Sequence, residues 1–179
     1  GATTLATVTV SGGTASFATS SLAAGSHTIT AVYSGDTLNA GSTSNTVSLT
    51  VGKATPSATL TASSTATTAG TAVTFTATLA GGASPTGTVT FKDGATTIGT
   101  GTISGTTARF STASLAVGPH TVTAVYGGDG SNAGVTSNAV TVTIGKAAPT
   151  LALTASTTSP TLGAPVTFSA TLSGGASPT

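Results

Sequence analysis

Nine side chains among 179 residues carry a charge or can exchange a proton near neutral pH: His27, His120, Asp36, Asp93, Asp129, Lys53, Lys92, Lys146 and Arg109. General acid–base chemistry needs proton-handling groups within hydrogen-bond reach of one substrate. His27 and Asp36 stand at the two ends of a single extended stretch, roughly 30 Å apart at about 3.3 Å per residue, so they cannot meet within it. No paired carboxylates occur, and no glycine-rich phosphate loop opens a helix. This set of residues argues against an enzyme, and no cofactor is expected.

The weak metal candidates are Asp36 with Asn39 and Asp129 with Asn132, in two similar loops. Calcium takes six to eight oxygens, usually with several carboxylates, and one Asp with one Asn falls short of that. An Asx turn, in which the Asp side chain bonds backbone just ahead of it, is the plainer reading. A Lys–Asn crosslink needs a buried acid beside the pair, whereas Lys53 and Lys146 sit in linkers and Lys92 beside a hairpin. Sugar platforms use exposed aromatics; Trp is absent, and Tyr33 and Tyr126 fall on the inward register. Asn39, Asn45, Asn132 and Asn138 lie outside any N-x-Ser/Thr sequon. His27 and His120 read as turn locks, placed where many sandwiches put a Tyr that bonds back to the preceding turn.

The elements that position these residues come in repeats. Gly25-Ser26-His27-Thr28-Ile29-Thr30-Ala31-Val32-Tyr33 returns 93 positions later as Gly118-Pro119-His120-Thr121-Val122-Thr123-Ala124-Val125-Tyr126. At the same offset, Gly81-Gly82-Ala83-Ser84-Pro85-Thr86 returns at 174–179 and Lys53 returns as Lys146. Residues 1–51 match 94–144 at 32 of 51 positions, and 53–86 match 146–179 at 22 of 34, which chance does not produce at one offset. The pairs Leu5/Ile98, Ile29/Val122 and Leu49/Val142 keep an apolar side chain. The link Val51-Gly52-Lys53-Ala54-Thr55-Pro56 marks a boundary. Residues 1–51 are then the C-terminal part of one repeat, 52–145 a complete repeat and 146–179 the N-terminal part of the next. Gly87 to Asp93 is the stretch represented only once.

Within the complete repeat, apolar residues alternate with Thr at period two, the signature of strands with one buried face. The inward set reads Leu60, Val73, Phe75, Leu79, Val89, Phe91, Phe110, Leu115, Val122, Tyr126, Val140 and Val142. Asp93-Gly94 closes a hairpin, Ile98 lies on a short strand and Ile103 starts the next stretch. β-Branched Thr and Val favour the pleated conformation, and no helical period competes. The expected fold is all-β: tandem immunoglobulin-like antiparallel β-sandwiches of about seven strands per repeat. Cys is absent, so core packing must hold each sandwich. Charged residues make up 4%, and four scattered cations give no nucleic-acid footprint. No apolar run is long enough for membrane insertion as a helix.

Pro85-Thr86-Gly87-Thr88-Val89-Thr90-Phe91-Lys92-Asp93-Gly94, with Leu115 through Asp129, resembles bacterial immunoglobulin-like repeats of the third group. The resemblance covers the complete repeat and both partial ones. It implies a seven-stranded sandwich in a tandem array of a large secreted or cell-surface protein, serving as spacer, adhesin stalk or surface-layer element. Three roles follow: a stalk, spacer or fibre segment; a subunit of a self-assembling extracellular filament with strand exchange between chains; and a ligand-binding adhesin domain, for whose surface ligand no face stands out. The expected partners are neighbouring Ig-like repeats of the same or an adjacent chain.

Overall fold

A computed structural model describes residues 3–175. Strands form where the alternating Thr and apolar residues find a partner to bond. The first segment holds β1 (Gly25–Ile29), β2 (Val32–Tyr33), β3 (Ser42–Thr43) and β4 (Val47–Val51). β1 pairs antiparallel with β4, His27 opposite Leu49, and β2 pairs with β3. Residues 3–19 form no strand beyond an isolated bridge between Ser11 and Thr14. Leu5, Val8, Val10 and Phe17 among them remain exposed.

The complete repeat carries β5 (Ser57–Ala62), β6 (Ala66–Thr68), β7 (Val73–Ala80), β8 (Thr88–Asp93), β9 (Thr96–Thr102), β10 (Thr107–Thr112), β11 (Gly118–Tyr126), β12 (Val135–Thr136) and β13 (Val140–Gly145). One sheet runs β10-β7-β5; the other runs β6-β13-β11-β8-β9, with β12 also on β11. β5 and β6 are two halves of one edge strand that changes sheets after Ala62. β12 and β13 are likewise two parts of the last strand, which leaves seven strand positions. This is an Ig-like β-sandwich, and no helix occurs among the described residues. The β8–β9 hairpin turns through Gly94 and Ala95, with Gly94 at φ 55°. Glycine adopts that angle without Cβ strain. Asp93 itself stays in the strand.

Thirteen apolar residues between Leu60 and Ile144 form the buried core. Phe75, Phe91 and Phe110 make an aromatic series, with ring centroids 6.4 Å and 5.7 Å apart. Of the inward set read from sequence, Phe110, Leu115 and Val140 are half-buried against this core and the rest are buried within it. Ala77, Ala108, Ala124 and Ile144 join it as well. Small alanines let the sheets approach while the phenylalanines fill the middle. On the open side, Gly99 and Gly101 of β9 lie against β10. A Cβ on Gly99 would overlap the Phe110 ring, and one on Gly101 would overlap the backbone carbonyl of Arg109. Ile103 follows β9 and donates its N–H to the carbonyl of Gly87 at 2.9 Å.

The third segment forms one hairpin, β14 (Thr150–Ala155) with β15 (Phe168–Ser173), Leu153 opposite Ala170. It corresponds to β5 and β7 at the offset of 93. The Ala176 to Thr179 part of the repeated Gly-Gly-Ala-Ser-Pro-Thr stretch lies outside the described residues.

Candidate functional site

In the complete repeat Asp129 and Asn132 stand at the pole where the chain arrives, and His120 and Asp93 at the opposite one. The β11–β12 loop lifts Asp129 and Asn132 beside the β7–β8 loop, whose left-handed turn includes Ser84 at φ 47°. Asp129 Oδ1 accepts from the backbone N–H of Ser131 and of Asn132, each at 2.8 Å. Oδ2 accepts from the Thr86 N–H and hydroxyl and from the Tyr126 hydroxyl, all at 2.9 Å. The Asn132 amide reaches both oxygens, at 2.9 and 3.1 Å. Burial alone would raise the Asp129 pKa. These donors outweigh it and hold the carboxyl well below the usual carboxylate range. Burial, then the bond to Asp129, pushes Tyr126 up.

Asn132 is fully buried and is the one buried polar residue among those described. Its Oδ1 accepts from the Ala83 N–H at 2.7 Å and its Nδ2 donates to the Ala83 carbonyl at 3.0 Å. The amide thus pairs with a loop backbone as a neighbouring strand would. The first segment builds the same turn from Asp36 and Asn39. Tyr33 donates to Asp36 at 2.6 Å, and the N–H groups of Leu38 and Asn39 donate at 2.8 and 2.7 Å. The Tyr33 bond is the largest of the effects that hold Asp36 well below its ordinary value. The four residues weighed for metal binding are therefore assembled as Asx turns, with carboxylate lone pairs facing N–H and O–H donors. Lys53 donates to the backbone carbonyl of Asp129, not to the Asn132 side chain.

At the other pole, His120 Nε2 donates to the Ala116 carbonyl at 2.8 Å, as in the first segment His27 Nε2 donates to the Ala23 carbonyl at 2.7 Å. Both histidines bond back to the turn ahead of their strand. His120 has a second partner: Nδ1 lies 2.6 Å from Asp93 Oδ2. Asp93 Oδ1 also accepts from the Thr121 N–H at 3.1 Å. A carbonyl and a carboxylate only accept, so satisfying both requires protons on both ring nitrogens. This geometry favours the imidazolium, and the His120 pKa is raised first by Asp93 and then by the Ala116 carbonyl.

Sequence reading missed three features. The sequence marks Asp93 as a hairpin residue but not as the partner of His120, since it lies in the stretch represented once and comparison of repeats gives it no counterpart. Ser137-Asn138 did recur, as Ser44-Asn45. Ser137 Oγ accepts from the Ala124 N–H at 2.9 Å, as Ser44 Oγ does from Ala31. Asn138 takes the Leu60 N–H at 2.9 Å and donates to the Leu60 carbonyl at 3.2 Å, tying β5 to the last strand between β12 and β13. The third feature is the linker. Ala54 donates to the Ser131 carbonyl at 2.9 Å and accepts from the Ala133 N–H at 2.8 Å.

The sequence profile of the bacterial Ig-like domain (group 3) matches residues 1–52 and 60–145. A solved structure of the Clostridium thermocellum CbhA fibronectin(III)-like modules is similar at 24% identity, with a TM-score of 0.40. That match covers 64% of this chain and 63% of that one. No curated protein matches the chain. The profile matches two successive stretches, the second of which folds as the sandwich described above, and the chain belongs to the bacterial Ig-like domain (group 3) family.

Proposed function

We propose that this chain is a structural segment of a secreted or surface-displayed bacterial protein, a semi-rigid spacer built of successive Ig-like repeats. The supporting observation is the linker. β4 ends at Val51, and Ala54 is already bonded on both sides into the β11–β12 loop of the next repeat. Only Gly52 and Lys53 remain between those points, and the Lys53 side chain is itself tied to Asp129. Pro56 fixes a further φ angle. A joint so short, with one side bonded to the backbone on either side of Asn132, resists swivelling far better than a Gly/Ser tether.

Spin labels at Ser48→Cys and Thr61→Cys bracket this joint. The distance distribution between them should be narrow, and inserting a Gly-Ser stretch after Gly52 should broaden it. An unmodified linker as broad as the inserted one overturns the spacer reading.

A second reading, assembly by strand addition, has its own observation. Leu153 and Phe168 are 69% and 67% exposed, while their counterparts Leu60 and Phe75 are 2% and 0% exposed. Strands of a neighbouring repeat, in the same or an adjacent chain, would cover such faces. Sedimentation across a concentration series separates the two: a constant value speaks for a single chain, and a rising one for assembly.

A further inference from the structure

The fold places the two ends of the complete repeat at opposite poles. The chain arrives at Ala54, bridged in parallel to Asn132 in the β11–β12 loop. It leaves at Gly145, which pairs with Thr68 at the far end of β6. β6 and β13 run parallel, Thr143 opposite Ala66, Ile144 opposite Thr67 and Gly145 opposite Thr68. This is the one parallel strand pair among the described residues. Pulling the two chain ends apart therefore draws β6 toward one pole and β13 toward the other, each along its own length. The bonds joining them lie across that direction. They include Thr143 N–H to Thr65 carbonyl and Ala69 N–H to Gly145 carbonyl, both 2.9 Å. Bonds arranged this way are strained together, whereas bonds pulled from one end of a strand pair open singly. The paired bonds of Ala54 at the arriving pole and the Asn138 amide on Leu60 meet the same pull.

We propose that the parallel β6–β13 patch is a mechanical clamp that lets each repeat withstand tension along the array. This function deepens the spacer reading and rests on it for the direction of the force. Forced unfolding is governed by the unfolding rate rather than by equilibrium stability, so the two can be measured apart. The protein has no Cys, so engineered cysteines give unique handles. One variant carries Gly52→Cys with Lys146→Cys and is pulled pole to pole. The other carries Thr71→Cys with Lys146→Cys, both at the leaving pole, so that β13 is peeled from β6.

Single-molecule pulling at matched loading rates should give at least a twofold higher unfolding force pole to pole. Chain extension of about 300 Å, at roughly 3.3 Å per released residue, marks the pole-to-pole event. Ala69→Pro removes one clamp donor and should lower the pole-to-pole force more than the peeling force, with its denaturant midpoint reporting that it folds. Should that variant not fold, the comparison of directions decides alone. Equal forces in the two directions overturn the clamp. The spin-label distances test the spacer reading independently, so a narrow distribution with equal forces removes the clamp and leaves the spacer.

Discussion

Removing one carboxylate, Asp93, should take away most of the pH dependence that the His120 titration gives to stability. His120 Nδ1 sits 2.6 Å from Asp93 Oδ2, with the two side chains 12% and 28% exposed. A hydrogen bond to a charged group contributes about 1.5–3 kcal/mol. Partial exposure of Asp93 puts this one toward the lower end, about 1–2 kcal/mol. The His120 pKa is raised on folding. Its contribution is therefore fully present below the unfolded value of about 6.5 and is lost as pH rises through the folded value. In a domain of this size about 1 kcal/mol moves Tm by about 4–8 °C. Thermal unfolding followed by circular dichroism should thus show Tm falling by about 5–10 °C between pH 6 and the alkaline side of the His120 titration. Asp93→Asn should melt lower at pH 6, approach the parent as pH rises, and lose most of the slope. Asp36 and Asp129 titrate in acid and the two tyrosines above 10, outside this window. A parent Tm that stays level or climbs from pH 6 to 9, or an Asn variant that keeps the slope, would refute the assignment of His120 as imidazolium.

Three further outcomes are expected. Asn132→Ala removes a buried amide that holds the Ala83 N–H and carbonyl and the Asp129 carboxylate and should cost about 1–3 kcal/mol in denaturant unfolding, with hydrogen exchange rising at both Ala83 and Ser131. Asp129 has a depressed pKa, so its stabilisation is present above the unfolded value of about 3.9 and lost as pH falls; Asp129→Asn should flatten the acid limb of stability below pH 4 and leave its shape at pH 7 to 9 unchanged. Gly101→Ala drives a methyl into the Arg109 backbone and should cost about 1–3 kcal/mol, whereas Gly105→Ala, with open space around it, should act only through its positive φ.

Much of the sandwich was legible because its core obeys period two: Val73, Phe75, Ala77 and Leu79 read directly as a strand with Thr between them. Strand formation itself was less legible, because it depends on neighbours. Residues 3–9 and 14–19 closely match β9 and β10, yet form no strand, since among the described residues none pairs with them as β8 pairs with β9 and β7 with β10. The Asx turns at Asp36 and Asp129 were visible in local spacing. The partners of Asn132 and Asn138 were not, since Ala83 and Leu60 lie 49 and 78 residues away and offer only backbone. Asp93 escaped notice as a partner because a His–Asp pair across adjacent strands has no sequence period to betray it.

The amide of Asn138 also bears on how crowded copies of this protein tolerate one another. Its two bonds occupy the N–H and carbonyl that Leu60 turns outward from the β5 edge. Proteins commonly guard such edges with lysine or other charge, a defence scarce in a chain with 4% charged residues. Here a neutral side chain fills the place an incoming strand would need, and the shift from β5 to β6 takes the rest of that strand into the other sheet. Protection of this kind does not weaken as salt screens charge or as pH changes.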